Sequence, residues 1–119
     1  MTAAEFIGTL FLGRDVAHRV HLSTRSFSKH MALDAFYHAI VEHADKFAEA
    51  YQGRHGLISG VPLLSAKAGA NIVDFLQNQL DEIEKGRAEV AGEDSALQNL
   101  IDETVATYLT TIYKLRFLA

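Results

Sequence analysis

Nearly every stretch of this chain long enough to form an element carries its apolar residues three and four positions apart, and none alternates as a half-buried strand would. Such stripes are buried only by packing helix against helix, so the fold class is all-α. The main break falls near the middle. Pro62 is the single proline, Gly53, Gly56 and Gly60 precede it, and a loop is expected from about Gly53 to Pro62. Before it, Ala3 to about Leu22 places Phe6, Leu10, Val16 and Val20 at helical intervals despite Gly8 and Gly13. Ser23, Thr24 and Ser26 then offer turn and N-cap chemistry for a second helix from about Ser28 to Tyr51. After the loop, Leu63 to about Gly86 spaces Ile72, Phe75, Leu76, Leu80 and Ile83 as a third helix. Glu93, Asp94 and Ser95 open a fourth that runs down to Phe117, with an acidic start that suits the helix dipole. Two hairpins joined by one longer connection predict a four-helix bundle, a single domain over residues 1–119.

Half of the residues are apolar and under a quarter charged, enough to bury a core in a chain of this size. The net charge is −4 and the basic residues are scattered, so the positive patch that grips nucleic acid is missing. Met1 to Phe11 has no basic stretch before its apolar residues, and the apolar run breaks within a dozen positions. Neither a signal peptide nor a membrane span is expected, and a cytoplasmic location follows. With no cysteine, any metal site has to use histidine and carboxylate, ligands that suit iron, zinc or manganese.

The second helix carries such a set. His30, Asp34, His38, Asp45 and Glu49 fall within an arc of roughly 100° on the helical wheel. Leu33, Phe36, Tyr37, Ile40, Ala44, Phe47 and Tyr51 gather on another side and mark the core. The stripe therefore flanks the core, and a site built from it needs water or another subunit to complete its coordination. A solvated helix face is the plain alternative. Such a face usually mixes in lysine and arginine, whereas this arc holds only histidine and carboxylate, with Lys29 and Lys46 pointing elsewhere.

The ladder His18, His30, Asp34, Asp45 and Glu49, in the segment AHRVHLSTRSFSKHMALDAFYHAIVEHADKFAEAY, resembles the iron-oxidation site of the Dps proteins, mini-ferritins of the ferritin-like superfamily. The resemblance implies a ferritin-like four-helix bundle that assembles with itself, from a dimer up to a dodecameric shell. Its ferroxidase sites would lie at twofold interfaces, with His18, His30 and Asp34 from one subunit and Asp45 and Glu49 from the next. These five would be both the metal ligands and the catalytic residues. Ferrous iron would be bound, oxidised and stored as ferric mineral, although another divalent metal also fits the ligands. The chain departs from the family at Arg19, where tryptophan is usual, in the glycine-free run Ser23 to Ser26, and at Ala50, where arginine is common. It also lacks a lysine-rich tail, so DNA binding is not expected. The chain is similar, too, to small ferritin-like proteins of tailed bacteriophages. That likeness implies an alternative of another class: a non-catalytic structural or interaction protein, such as a bacteriophage accessory or virion component, in the host cytoplasm or the virus particle.

The remaining candidates are weaker. His21 reads as an extra ligand or a bland surface histidine, His43 as a border residue, and His55 as an exposed loop residue. Asp15 and His18 form a DxxH pair, but the paired ExxH motifs of a bundle-core di-iron centre are absent. Asp74, Asp81, Glu82, Glu84, Asp102 and Glu103 read as solvated faces, and Tyr108 and Tyr113 as core or interface rings.

Overall fold

A computed structural model describes residues 1–66 and 71–119. Four helices account for most of them: α1 (Ala3–Ser23), α2 (Phe27–His55), α3 (Ile72–Ala91) and α4 (Ser95–Phe117). Each begins on a cap that the sequence supplies. Thr2 and Glu5 form a capping box at α1, and Ser26 accepts from the Lys29 amide at α2. Asn71 and Asp94 each take two backbone amides at the starts of α3 and α4.

α1 packs on α2 and α3, and α4 packs on the same two, leaving α1 diagonal to α4 and α2 diagonal to α3. The directions follow from named contacts. The Met1 ammonium reaches Glu89 at 3.2 Å and Gln79 Nε2 donates to the Thr9 carbonyl at 3.0 Å, so α1 and α3 run antiparallel. At one end of the α2–α4 pair Arg54 meets Asp94 at 2.7 Å; at the other the Ser28 hydroxyl donates to the Leu118 carbonyl. α2 and α3 are therefore parallel, and the connection between them crosses the length of the bundle. Pro62 lies against α1 at Gly8, where an added Cβ would stand 3.0 Å from the Pro62 carbonyl oxygen.

Phe6, Ile7 and Leu10 of α1 meet Leu33, Phe36, Ile40 and Phe47 of α2, Leu76 and Ile83 of α3, and Leu97, Ile101 and Tyr108 of α4 in one core. Phe6 packs edge-on to Phe47 and Phe36 edge-on to Tyr108, with centroids 4.8 and 5.0 Å apart. One polar group sits at the centre. The buried Tyr108 hydroxyl donates to Gln79 Oε1 at 2.7 Å, and burial holds the phenol well above its usual range. Gly13 of α1 covers this pair, and a Cβ there would collide with the Gln79 amide and lie 2.9 Å from the Tyr108 oxygen.

The bundle expected from the sequence is present, with three shifted boundaries. α2 runs through Gly53 and stops at Gly56, whose φ of 88° is the left-handed value that glycine tolerates. α3 passes Gly86 and ends at Gly92, φ 56°. Gly86 is in the helix because Met1 packs onto it; a Cβ would come within 2.8 Å of the Met1 Cβ. The third helix does not begin at Leu63. Residues 63–66 belong to the crossover, the helix starts after Asn71, and the intervening part of the expected helix, 67–70, lies outside the described residues.

Gly13→Ala should destabilise the bundle by about 2 kcal/mol, since the methyl must displace a buried, hydrogen-bonded amide. Gly53→Ala, which meets nothing within 4 Å, should leave stability equal or slightly raised. Chemical denaturation of the two variants checks the contrast.

Candidate functional site: the histidine-rich flank of the first hairpin

α1 and α2 are joined by only Thr24, Arg25 and Ser26, so the last turns of α1 lie beside the first turns of α2. Four histidines fall there. His21 Nδ1 donates to the His30 carbonyl at 2.8 Å, and His30 Nδ1 donates to the His21 carbonyl at 2.9 Å. Carbonyl oxygens only accept, so each ring must carry its proton on Nδ1. The two imidazoles stack with centroids 3.8 Å apart and 19° between planes. His21 is 7% exposed and thus part of the core rather than of the surface.

The stack continues along the flank. His18 lies on Tyr37 (4.2 Å, 15°), and Tyr37 on His38 (4.3 Å). Asp34 sits among them. The Tyr37 hydroxyl donates to Asp34 Oδ1 at 3.3 Å, His21 Nε2 lies 4.0 Å from the same oxygen, and His38 Nδ1 donates to the Asp34 backbone carbonyl at 2.8 Å. Loss of water around the phenol, reinforced by the Asp34 carboxylate, raises the Tyr37 pKa from its usual value.

His18, His30 and Asp34 of the expected ladder are thus brought to one flank. Asp45 and Glu49 are not: they lie exposed on α2, eleven and fifteen residues beyond Asp34, or about 16 and 22 Å along the helix. Asp15 is drawn to Arg19 at 2.8 Å instead of joining His18. Fitted to a metal, this donor set falls short. The Nδ1 bonds of His21, His30 and His38 to backbone carbonyls leave each ring its Nε2 as a donor, but no three histidine or acidic side chains among the described residues converge on a point where an ion could sit.

Two contributors escaped the reading of the sequence as a ligand ladder. His21 extends the buried line Leu10, Gly13 and Ala17 of α1, a spacing that places it on the core side. Tyr37 lies at the edge of the core stripe, where its ring bridges His18 and His38. Of the remaining histidines, His55 is exposed and packs on Tyr51, whereas His43 is half-buried and bonds through Nε2 to the Thr107 hydroxyl of α4 at 2.9 Å. Burial lowers the His43 pKa from 6.5, against the opposing pull of Glu103. No helix among the described residues is long and apolar enough to cross a membrane.

Residues 21–115 match the model of DUF5856, described as a family of unknown function. An uncharacterized 14.6 kDa protein from the mobD-ri intergenic region of Enterobacteria phage T4 is 26% identical over 115 residues, covering 95% of this chain and 87% of that protein. No solved structure matches the chain.

Two measurements follow from this geometry. His21→Ala should cost about 2 kcal/mol, by opening a cavity and removing the ring's bond to the His30 carbonyl, whereas Asp45→Ala and Glu49→Ala should each stay within about 0.5 kcal/mol. For His43 the neutral form is favoured in the folded state. Its contribution is complete above the unfolded value of 6.5 and is lost as pH falls through the lower folded pKa. Melting curves between pH 5 and about 7.5 should show a shallower acid loss in His43→Gln than in the wild type.

Proposed function

The chain belongs to the DUF5856 family, and we propose that it acts without catalysis, as a helical structural or interaction protein of a bacteriophage system. The hydrogen-bonding of the flank is the observation that carries this reading. His21 and His30 each donate an Nδ1 proton to the other's backbone carbonyl, so this pair joins α1 to α2 and has a structural role of its own in the first hairpin. The relative in phage T4 supports the phage setting. The one-crossover topology is that of ferritin-like bundles, which supports kinship with that fold while leaving the chemistry aside.

A second reading keeps the ladder as a shared site. It is favoured by His18 and the Asp34 carboxylate standing together at the flank, which a neighbouring subunit's Asp45 and Glu49 would have to complete. Iron here would be the substrate. The two readings separate in one assay. Anaerobic protein given ferrous iron and then air or peroxide should oxidise it no faster than an Asp34→Ala, Asp45→Ala variant, and the protein as purified should contain no stoichiometric metal. Rapid oxidation by the wild type that the double variant loses would reject the non-catalytic reading.

A further inference from the structure

Most of the outer surface is what a water-facing bundle requires. The exposed residues of α3, among them Asp74, Asn78, Asp81, Glu84 and Lys85, are polar apart from Ala88. The face made by α2 and α4 differs. Leu109, Tyr113 and Phe117 recur every four residues on the outer side of α4, exposed by 53, 53 and 73%, with the last two rings 6.0 Å apart. Phe27 and Met31 stand at the same end of α2, 76 and 50% exposed, where Ser28 bonds to Leu118. Beside these projections lies a shallow groove of about 250 Å³ floored by Ala35, Ala39, Ala106, Thr107 and Thr110. Projections and recess thus share one face.

Area and charge both bear on what covers it. Large apolar side chains carry roughly 150–250 Å² each, so these five leave on the order of 600 Å² uncovered. That is at the upper end for a monomer and approaches the roughly 800 Å² that each partner contributes to a stable complex. Charge is divided along the face. The end with Phe117 carries Lys114 and Arg116, which form no ion pair among the described residues, and no carboxylate lies on α4 beyond Glu103. The other half carries Glu42, Asp45, Glu49 and Glu103, with Asp102 turned to Arg87 of α3, while its cations Lys46 and Arg54 are engaged with Glu103 and Asp94. Such a face complements itself when a copy is turned end for end, cationic end against acidic half, and repels a copy laid the same way round.

We propose that a second copy of this chain docks on the α2–α4 face about a twofold axis, head to tail, with the Leu109 and Tyr113 projections of each copy packed into the other's groove at Ala39, Ala106 and Thr110. The dimer rests on the reading of the chain as an interaction protein and names its partner.

The test uses the full chain, whose lack of cysteine makes single-cysteine crosslinking unambiguous. In analytical ultracentrifugation at about 100 µM the wild type should sediment as a dimer. Tyr113→Glu should sediment as a monomer with an unchanged circular dichroism spectrum. Thr110→Cys, on the groove near the axis, should oxidise to a disulfide-linked dimer, whereas Asp81→Cys on α3 should not. A monomeric wild type, or a dimer that survives Tyr113→Glu, overturns the proposal. Failure here is distinct from failure of the non-catalytic reading: a monomer that does not oxidise iron ends only the dimer, and ladder-dependent iron oxidation ends only that reading.

Discussion

The first hairpin depends on two imidazoles that each donate to the other's backbone. The His21 carbonyl lies in the last turn of α1, where helix geometry leaves carbonyls without intrahelical partners, and the His30 ring supplies the missing donor. His21 returns the bond to the His30 carbonyl in the first turns of α2. With the rings stacked at 3.8 Å, the pair fixes the spacing and register of the two helices across a connection of three residues. Asp34, Tyr37, His38 and His18 then find their places by stacking and hydrogen bonding outward from it.

A second constraint holds the other half. Gln79 bonds the Thr9 carbonyl of α1 with its amide nitrogen and the Tyr108 hydroxyl of α4 with its oxygen, so one side chain of α3 ties three helices together. Gly13 is the gap through which this happens. No buried side-chain nitrogen or oxygen among the described residues is left without a partner, as a fully satisfied polar core requires. The parallel course of α2 and α3 obliges the chain to travel back along α1 through the Pro62 segment.

How much of this was legible varies with the kind of signal. Helix existence and order were readable, because the three-and-four spacing of Leu33, Phe36, Ile40, Ala44 and Phe47 has no other economical use and all five are buried. Glycine was a poorer guide. Gly53 and Gly86 looked like stops, yet the first merely sits in an exposed turn and the second serves the approach of Met1, a contact between chain positions too remote to show in a local pattern. The histidine ladder was visible as spacing, but spacing carries no information on which ring nitrogen is engaged. A backbone carbonyl is a bonding partner that every residue possesses and no sequence displays, and here it claims His21, His30 and His38. His21 could have been placed from its line with Leu10, Gly13 and Ala17; its bond to His30 could not.

A bundle whose histidines join its own first hairpin leaves exposed apolar and charged faces elsewhere. The tautomer of His21 and His30 tests this most directly. Long-range proton–nitrogen correlation spectra recorded above the imidazole titration range, at about pH 8, should show both rings protonated on Nδ1, with Nδ1 protons protected from exchange and unmoved by added zinc or ferrous ion. Protonation on Nε2 in either ring, or collapse of these signals on adding one equivalent of metal, would contradict the account.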